Sequence, residues 1–314
     1  MEYDVPVLFI VFKRHYTAIK VFERLRQIKP KKLYVAADGP RSKEEAAMCE
    51  QTRSIVKLID WECDVHLRFR DKNLGCKYAP YDSITWFFEH EEEGVILEDD
   101  CVPDPTFFPF VSEMLQRYRN DHRVSMIAGH SEVSVPLSTS YVFSRFRACW
   151  GWATWKRAWK YMDLELVNYD YRKEVAPLMV YDQHRKAHWL TALDLIDQNK
   201  VAAWDWPWYF SQAAQSQLCI FPCKNLIANI GFGEDGTHCL GEAPAEAITS
   251  YALEFPLVHP KTMIVDWTFE KEFEKGLNMG VNLQDGDRKK RKNVFVSVAK
   301  ELRRFVRRFK RRWE

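Results

Sequence analysis

No stretch of the 314 residues approaches the roughly 18 uninterrupted apolar residues that span a bilayer. The opening Met1-Glu2-Tyr3-Asp4 carries neither the basic nor the apolar region of a secretion signal, so the sequence predicts neither export nor membrane spanning. The eight cysteines are scattered. Only Cys219 and Cys223 lie close together, and their three intervening residues do not match the two of a zinc knuckle. Reduced thiols in a cytosolic protein are therefore expected. Glycine is scarce, at 12 residues, and no glycine-rich phosphate loop of the dinucleotide or Walker type occurs.

What is present suits a globular α/β protein, with 46% hydrophobic residues for a core. The net charge of +2 hides an asymmetry. Residues 288–314 hold 13 Lys and Arg against Glu301 and Glu314, which leaves 33 basic and 42 acidic residues in positions 1–287. An acidic body with a basic tail argues against a nucleic-acid binder, whose basic residues are spread over its folded domain.

The sequence centres on Gly94-Val95-Ile96-Leu97-Glu98-Asp99-Asp100, a short apolar run that ends in three acids. A strand buried on both faces reads this way, and in an open parallel sheet its C-terminal edge faces a ligand crevice. Adjacent anions repel unless a cation sits among them; the alternative is a solvated acidic loop. Ahead of it, Val7–Phe12 and Leu33–Ala36 read as strands, and Val65, Leu67 and Phe69 alternate as a third. Between them, Ala18, Val21, Phe22, Leu25 and Ile28 recur at helical spacing up to Pro30, and Ser42 with Glu45 is a capping box that opens a helix through Ile59. Residues 71–77 read as a loop and Ile84–His90 as a helix. This β-α-β-α-β-α-β order predicts a doubly wound sheet. Each strand ends in polar residues: Arg14, Asp38, the 73–77 loop with Lys77, and the acids. Their convergence is what a nucleotide site at a sheet edge requires.

Further on, the pattern predicts a helix over Pro105–Arg119 and a strand over Val124–Ala128. Seven of the twelve tryptophans then gather in two segments, Trp150 to Trp159 and Trp204 to Trp208. Such density near Gly and Pro predicts loops lining a cleft in which a sugar stacks on Trp150, Trp152 or Trp206; the alternative is core packing. Asp205, among these indoles, is placed as a general base, with Glu234 and Asp235 as rivals and a buried structural Asp as the alternative. Residues 229–238 form a glycine-containing loop ending in His238.

Val5 to Ile10, Arg14, Asp38 and the Gly94–Asp100 run followed by Pro105-Thr106-Phe107-Phe108 resemble GT-A glycosyltransferases. They are similar to the inverting N-acetylglucosaminyltransferase that initiates complex N-glycans over residues 5–130, and to bacterial nucleotide-diphospho-sugar transferases as far as residue 240. The resemblance implies a GT-A doubly wound, mixed but mostly parallel sheet, and metal-dependent transfer from a UDP-sugar to a glycan or lipid-linked acceptor. It implies that Asp100 and His238 hold Mn²⁺ or Mg²⁺, that Glu98 and Asp99 face the ribose and the metal's waters, and that Phe12, Arg14, Asp38 and Lys77 bind the nucleotide; the alternatives are that Asp38 only shapes its own turn and that Glu98 supports the site from behind. It also makes Asp205 the base, with Trp150, Trp152, Trp206, Glu234 and Asp235 near the acceptor or sugar. Alternatives are a sugar-phosphate nucleotidyltransferase and an inactive carbohydrate-binding, membrane-associated protein. The expected halves of one domain are 1–130 for the donor and 131–285 for the acceptor, followed by a tail, 286–314. In that tail Val294, Val298, Leu302, Phe305, Phe309 and Trp313 form an apolar stripe among basic residues, an amphipathic helix suited to an anionic membrane surface over residues 293–314. Peripheral attachment at the inner face of the membrane is the expected location; docking on the acidic body is the alternative.

Overall fold

The computed structural model describes residues 3–131, 133, 135–180, 186–232 and 245–276. The chain divides into Met1–Lys275 and Gly276–Glu314, and the architecture below is that of the first unit. The amphipathic tail lies outside the described residues.

Strand β1 (Val7–Val11) is apolar on both faces and almost wholly buried, as a central strand must be. Helix α1 (His15–Ile28) buries Thr17, Ala18, Val21, Phe22 and Leu25 on one face. It ends at Lys29, whose left-handed backbone lets its N–H reach the Leu25 carbonyl before Pro30 stops the helix. β2 (Lys32–Ala37) leads to α2 (Lys43–Arg53), which opens as predicted: the Ser42 side chain accepts from the Glu45 N–H. This helix is shorter than the sequence reading, because residues Ser54–Leu58 tighten into a 3₁₀ turn. β3 (Asp64–Phe69) precedes α3 (Gly75–His90), which starts nine residues before the expected Ile84 and keeps Pro80 in its interior.

β4 (Glu93–Glu98) carries the acids at its end and is followed by β5 (Cys101–Pro103), α4 (Phe107–Tyr118), β6 (Val124–Ala128), β7 (Tyr141–Ser144), β8 (Trp152–Trp155) and α5 (Lys156–Trp159). Then come α6 (Lys186–Asp197), α7 (Asp205–Ala214), β9 (Leu218–Pro222), β10 (Ile227–Asn229), α8 (Ala245–Ile248) and α9 (Trp267–Gly276). Eight strands form one mixed sheet in the order β3-β2-β1-β4-β8-β6-β9-β7. Its first four are parallel, and β8 enters antiparallel between β4 and β6. The predicted doubly wound, mostly parallel arrangement is present.

Alternation along the strands separates two cores. Phe9, Val35 and Leu97 pack with Phe22 and Phe110 on one face, while Leu8, Tyr34 and Ile96 pack with Phe87, Trp152 and Trp208 on the other. The two tryptophan segments belong chiefly to this second core, which corrects the expectation of open loops. Trp152 and Trp155 are on β8 and Trp208 is on α7, each at most 2% exposed. The Trp152 and Trp204 rings stack at 5.7 Å, and Trp159 meets Trp208 at 5.0 Å. Burial of such rings, about 1.5–3 kcal/mol for a large apolar side chain, explains their density without a ligand.

Candidate active site

The C-terminal edge of β1 and β4 is built around the acid turn. The Asp100 carbonyl accepts from the Ile230 N–H at 2.9 Å, and β5 pairs antiparallel with β10 with Cys101 opposite Asn229. This ribbon holds the turn from behind. From β1, the Phe12 N–H donates to Asp99 Oδ2 at 3.2 Å. Arg14 Nη2 donates to Asp99 Oδ1 at 2.5 Å and to Asp100 Oδ2 at 2.7 Å. The three adjacent anions are thus partly neutralised by the protein's own cation. Burial works against charge on the Arg14 guanidinium, but Asp99 and Asp100 more than offset it and raise its pKa. Burial pushes the Glu98 carboxyl up, helped by Asp100, Asp99 and Asp205. It raises Asp99 as well, with Arg14 pulling the other way.

A cavity of ≈ 540 Å³ opens over this turn. Of the residues predicted for the site, Phe12, Arg14, Asp38, Glu98, Asp99, Asp100 and Trp150 line it. Trp150 lies edge-on to His130 at 4.6 Å and to Phe232 at 6.0 Å, a partly exposed aromatic wall. Asp205 starts α7, with the Cys149 thiol 3.8 Å from its Oδ2, and it raises the pKa values of both Glu98 and Cys76 through its charge. Asp205 is not among the residues lining the cavity; it acts on Glu98 and Cys76 through its charge.

Asp38 is placed at the cavity but is committed to shaping the fold. Its Oδ1 accepts from the Gly39 and Leu74 N–H groups, and its Oδ2 from the Gly75 N–H and Asn73 Nδ2. The Leu74 and Gly75 amides stand at the start of α3, so Asp38 caps that helix from another loop; this is why α3 begins at Gly75, whose φ of 80° suits glycine. Any contact with a nucleoside comes in addition to that role. Lys77 is turned away from the cavity: its Nζ pairs with Glu165 at 2.7 Å and lies over the Tyr78 ring. Lys77 is not among the residues lining the cavity. Trp152 is core, not wall, as its full burial requires. Trp206 is half-buried in the first turn of α7 and is not part of the cavity lining. Glu234, Asp235 and His238 lie outside the described residues.

Arg41, Asn73, Cys76, Asn229 and Gly231 also line the cavity; the sequence reading placed the loops of the last four near the site without naming these residues, and it did not reach Arg41. Arg41 lies over the Phe12 ring at 5.5 Å and pairs with Glu45, which also binds Lys13. Its position directly after Asp38-Gly39-Pro40 was the available signal. Asn229 accepts from the Gly231 N–H at 2.8 Å and so directs the chain after β10 across Asp100. Burial pushes the Cys76 thiol up to about 12, with Glu98, Asp205 and Asp100 adding to the effect.

Among the described residues no group of three or more His, Cys, Asp or Glu side chains converges to hold an ion. The Asp100 carboxylate, which accepts from Arg14 at 2.7 Å and from the Cys101 thiol at 3.4 Å, suits a hard, oxygen-seeking cation that takes most of its ligands from elsewhere. It does not fit a closed, all-protein site.

No protein-family model and no curated protein matches the sequence. Among the solved structures that share part of its shape are two UDP-glucose pyrophosphorylases. One is a UDP-glucose pyrophosphorylase complexed with UDP-glucose, with 12% identity and a TM-score of 0.26 over 44% of this chain and 62% of that one. The other is an apo UDP-glucose pyrophosphorylase, with 8% identity and a TM-score of 0.33 over 69% and 90%. This chain spans 62% of the first of them, and at these scores neither likeness bears on the reaction.

Proposed function

We propose that the chain is an enzyme of nucleotide-sugar chemistry: a divalent-cation-dependent glycosyltransferase that moves a sugar, with inversion, from a UDP-sugar to a glycan or lipid-linked hydroxyl. The observation that carries this reading is the convergence of Arg14, Glu98, Asp99 and Asp100 in one cavity; the charge of Asp205, from a separate part of the chain, acts on Glu98. Phe12, Arg41 and Trp150 provide ring and guanidinium surfaces for a base or sugar. In the reaction, Asp205 takes the proton of the acceptor hydroxyl as its oxygen bonds to the anomeric carbon. The bond from that carbon to the diphosphate breaks on the opposite side, and Arg14 supports the departing charge. Mn²⁺ or Mg²⁺ held through Asp100, when bound, neutralises the same diphosphate. His238 as a second ligand belongs to this proposal.

Nucleotidyl transfer to a sugar phosphate is the second reading, favoured by the basic pair Lys13 and Arg14 in the β1–α1 turn, where an attacking phosphate would need cations. That turn lacks glycine, and Lys13 is already paired with Glu45 at 2.8 Å, so glycosyl transfer is preferred. A panel of nucleotide sugars separates them. Mn²⁺-dependent release of UDP and free sugar without acceptor supports the transferase. Formation of nucleoside triphosphate only when pyrophosphate is added supports the nucleotidyltransferase, and cation-dependent UDP binding with neither product indicates an inactive binding protein.

The basic stripe of residues 293–314 is proposed to hold the enzyme at an anionic membrane surface on the cytoplasmic side. Among the described residues no helix is long and apolar enough to cross a membrane. Comparing vesicle binding of the full chain with that of residues 1–285 tests this, since equal partitioning would leave the tail without a membrane role.

A further inference from the structure

At the opposite edge of the sheet the structure holds a second cavity, independent of the acid turn. β6 runs parallel to β4, since β8 is antiparallel to both, so its first residue, Val124, lies at the edge away from Glu98. There the end of α4, the turn through Asp121 and Arg123, and residues 260–263 border a shallow, open depression of ≈ 620 Å³. Arg117, Arg123 and Lys261 line it against one carboxylate, Asp121, and Thr262 adds a hydroxyl. Arg123 answers Asp121 through two hydrogen bonds of 2.9 and 2.7 Å. Arg117 lies over the Tyr118 ring at 5.9 Å, with Tyr118, Tyr141 and Glu113 favouring its charge, while Lys261 makes no ion pair among the described residues.

Both walls are fixed. Tyr118 and Tyr141 share a hydrogen bond of 2.6 Å, Tyr141 contacts His259 Nδ1 at 3.1 Å, and His259 Nε2 pairs with Glu113 at 3.0 Å. This chain ties the residue before Pro260 to α4. On the other side, Arg157 donates to the Tyr118, Arg119 and Val124 carbonyls and holds the turn in place. Close to the lining segment 260–263 in the chain, Val258 is 56% exposed and Ile264 75% exposed. A soluble anion would use the cations but gain nothing from these two side chains. A phosphate at a lipid surface uses both, because the headgroup meets the cations while the aliphatics enter the interfacial layer.

We propose that this cavity binds the phosphate of an anionic phospholipid headgroup, with Val258 and Ile264 entering the membrane interface around it. The proposal is separate from the reading of the donor site and from the basic tail, so its test must report locally. Hydrogen–deuterium exchange of the full chain is followed at residues 117–123 and 258–264 in buffer, with inorganic phosphate, with phosphatidylcholine vesicles, and with vesicles that also contain phosphatidylglycerol. The expected result is several-fold slower exchange in both segments with the phosphatidylglycerol vesicles alone. The double variant R117Q/K261Q should lose this protection, and Ile264→Ser, which leaves the charges in place, should weaken it. Protection by inorganic phosphate without vesicles would make this a soluble-phosphate site and overturn the proposal. So would equal protection by the neutral vesicles, protection unchanged in both variants, or no protection at all.

Discussion

Gly231 lies against Asp100 so closely that a β-carbon at position 231 would overlap the Asp100 carboxylate and come within 2.9 Å of Arg14 Nη1. The backbone after β10 therefore forms one wall of the acid turn, and only a hydrogen there leaves the carboxylate where Arg14 holds it. Gly231→Ala should displace Asp100 and Arg14 together. Cation-dependent UDP binding, measured by calorimetry, is expected to weaken at least about tenfold, or about 1.4 kcal/mol, while the melting temperature moves little. Unchanged affinity would mean that the carboxylate position is not critical to the ligand.

Asp100→Asn keeps the volume and removes the charge. Asp99 still pairs with Arg14, so the fold should persist and Arg14 should stay in place. Loss of turnover together with loss of the Mn²⁺ dependence of UDP binding is the expected outcome. A variant that binds UDP better in Mn²⁺ than in chelator, as the parent should, would remove Asp100 from the cation site.

Asp38→Ala should act first on stability. It strips four hydrogen bonds from the turn and leaves the Leu74 and Gly75 amides without their cap. Loss of a helix cap costs about 0.5–2 kcal/mol, and unsatisfied donors would add to that. Denaturant unfolding should register this at saturating UDP as well as without it. If stability were unchanged and only nucleoside affinity fell, Asp38 would be a ligand contact and not a cap.

The same residue shows what the sequence could disclose. Val7–Val11, Lys32–Ala37 and Glu93–Glu98 were legible because near-continuous apolar runs leave few alternatives to a buried parallel strand. Their polar ends, Arg14, Asp38 and the acid triplet, followed from that placement. The start of α3 was not legible, because its cap is supplied by Asp38, 37 residues upstream of Gly75, and not by a neighbour. Trp152 was misread for a related reason. Indole density is ambiguous until pairing is known, and β8 inserts between β4 and β6, where both faces of the sheet are covered. Nothing local in Lys77 signals that Glu165 takes its ammonium.

Glu98 predicts a pH effect. Burial and its anionic neighbours raise its folded-state pKa above the unfolded value, so between the two the folded protein binds more protons than the unfolded chain. Stability should therefore fall as pH rises from the acid range toward neutrality, when chelator keeps divalent ions away. Glu98→Gln should flatten that part of the profile in thermal melts taken across pH. A parent whose stability climbs steadily over this window would contradict the raised value.

Asp205→Asn separates binding from chemistry. The carboxylate lies close enough to Glu98 and Cys76 to raise both of their pKa values, yet it starts a different helix from any that carries the nucleotide-side residues. If it is the base, removing its charge leaves Arg14, Asp99 and Asp100 paired as before, and donor affinity should stay within about twofold of the parent. Transfer to acceptor should fall by about 10²-fold or more, the usual worth of a general base. Hydrolysis of the donor by water, if it needs the same base, should fall in parallel. Relief of Asp205's charge should also lower the Glu98 pKa, so the pH-dependent loss of stability in chelator should shrink in this variant too. That second readout distinguishes a base beside the acid turn from a residue that acts elsewhere: lost transfer with an unchanged stability profile would place Asp205 too far from Glu98 for the role proposed, and a collapse of donor binding would assign it to the nucleotide.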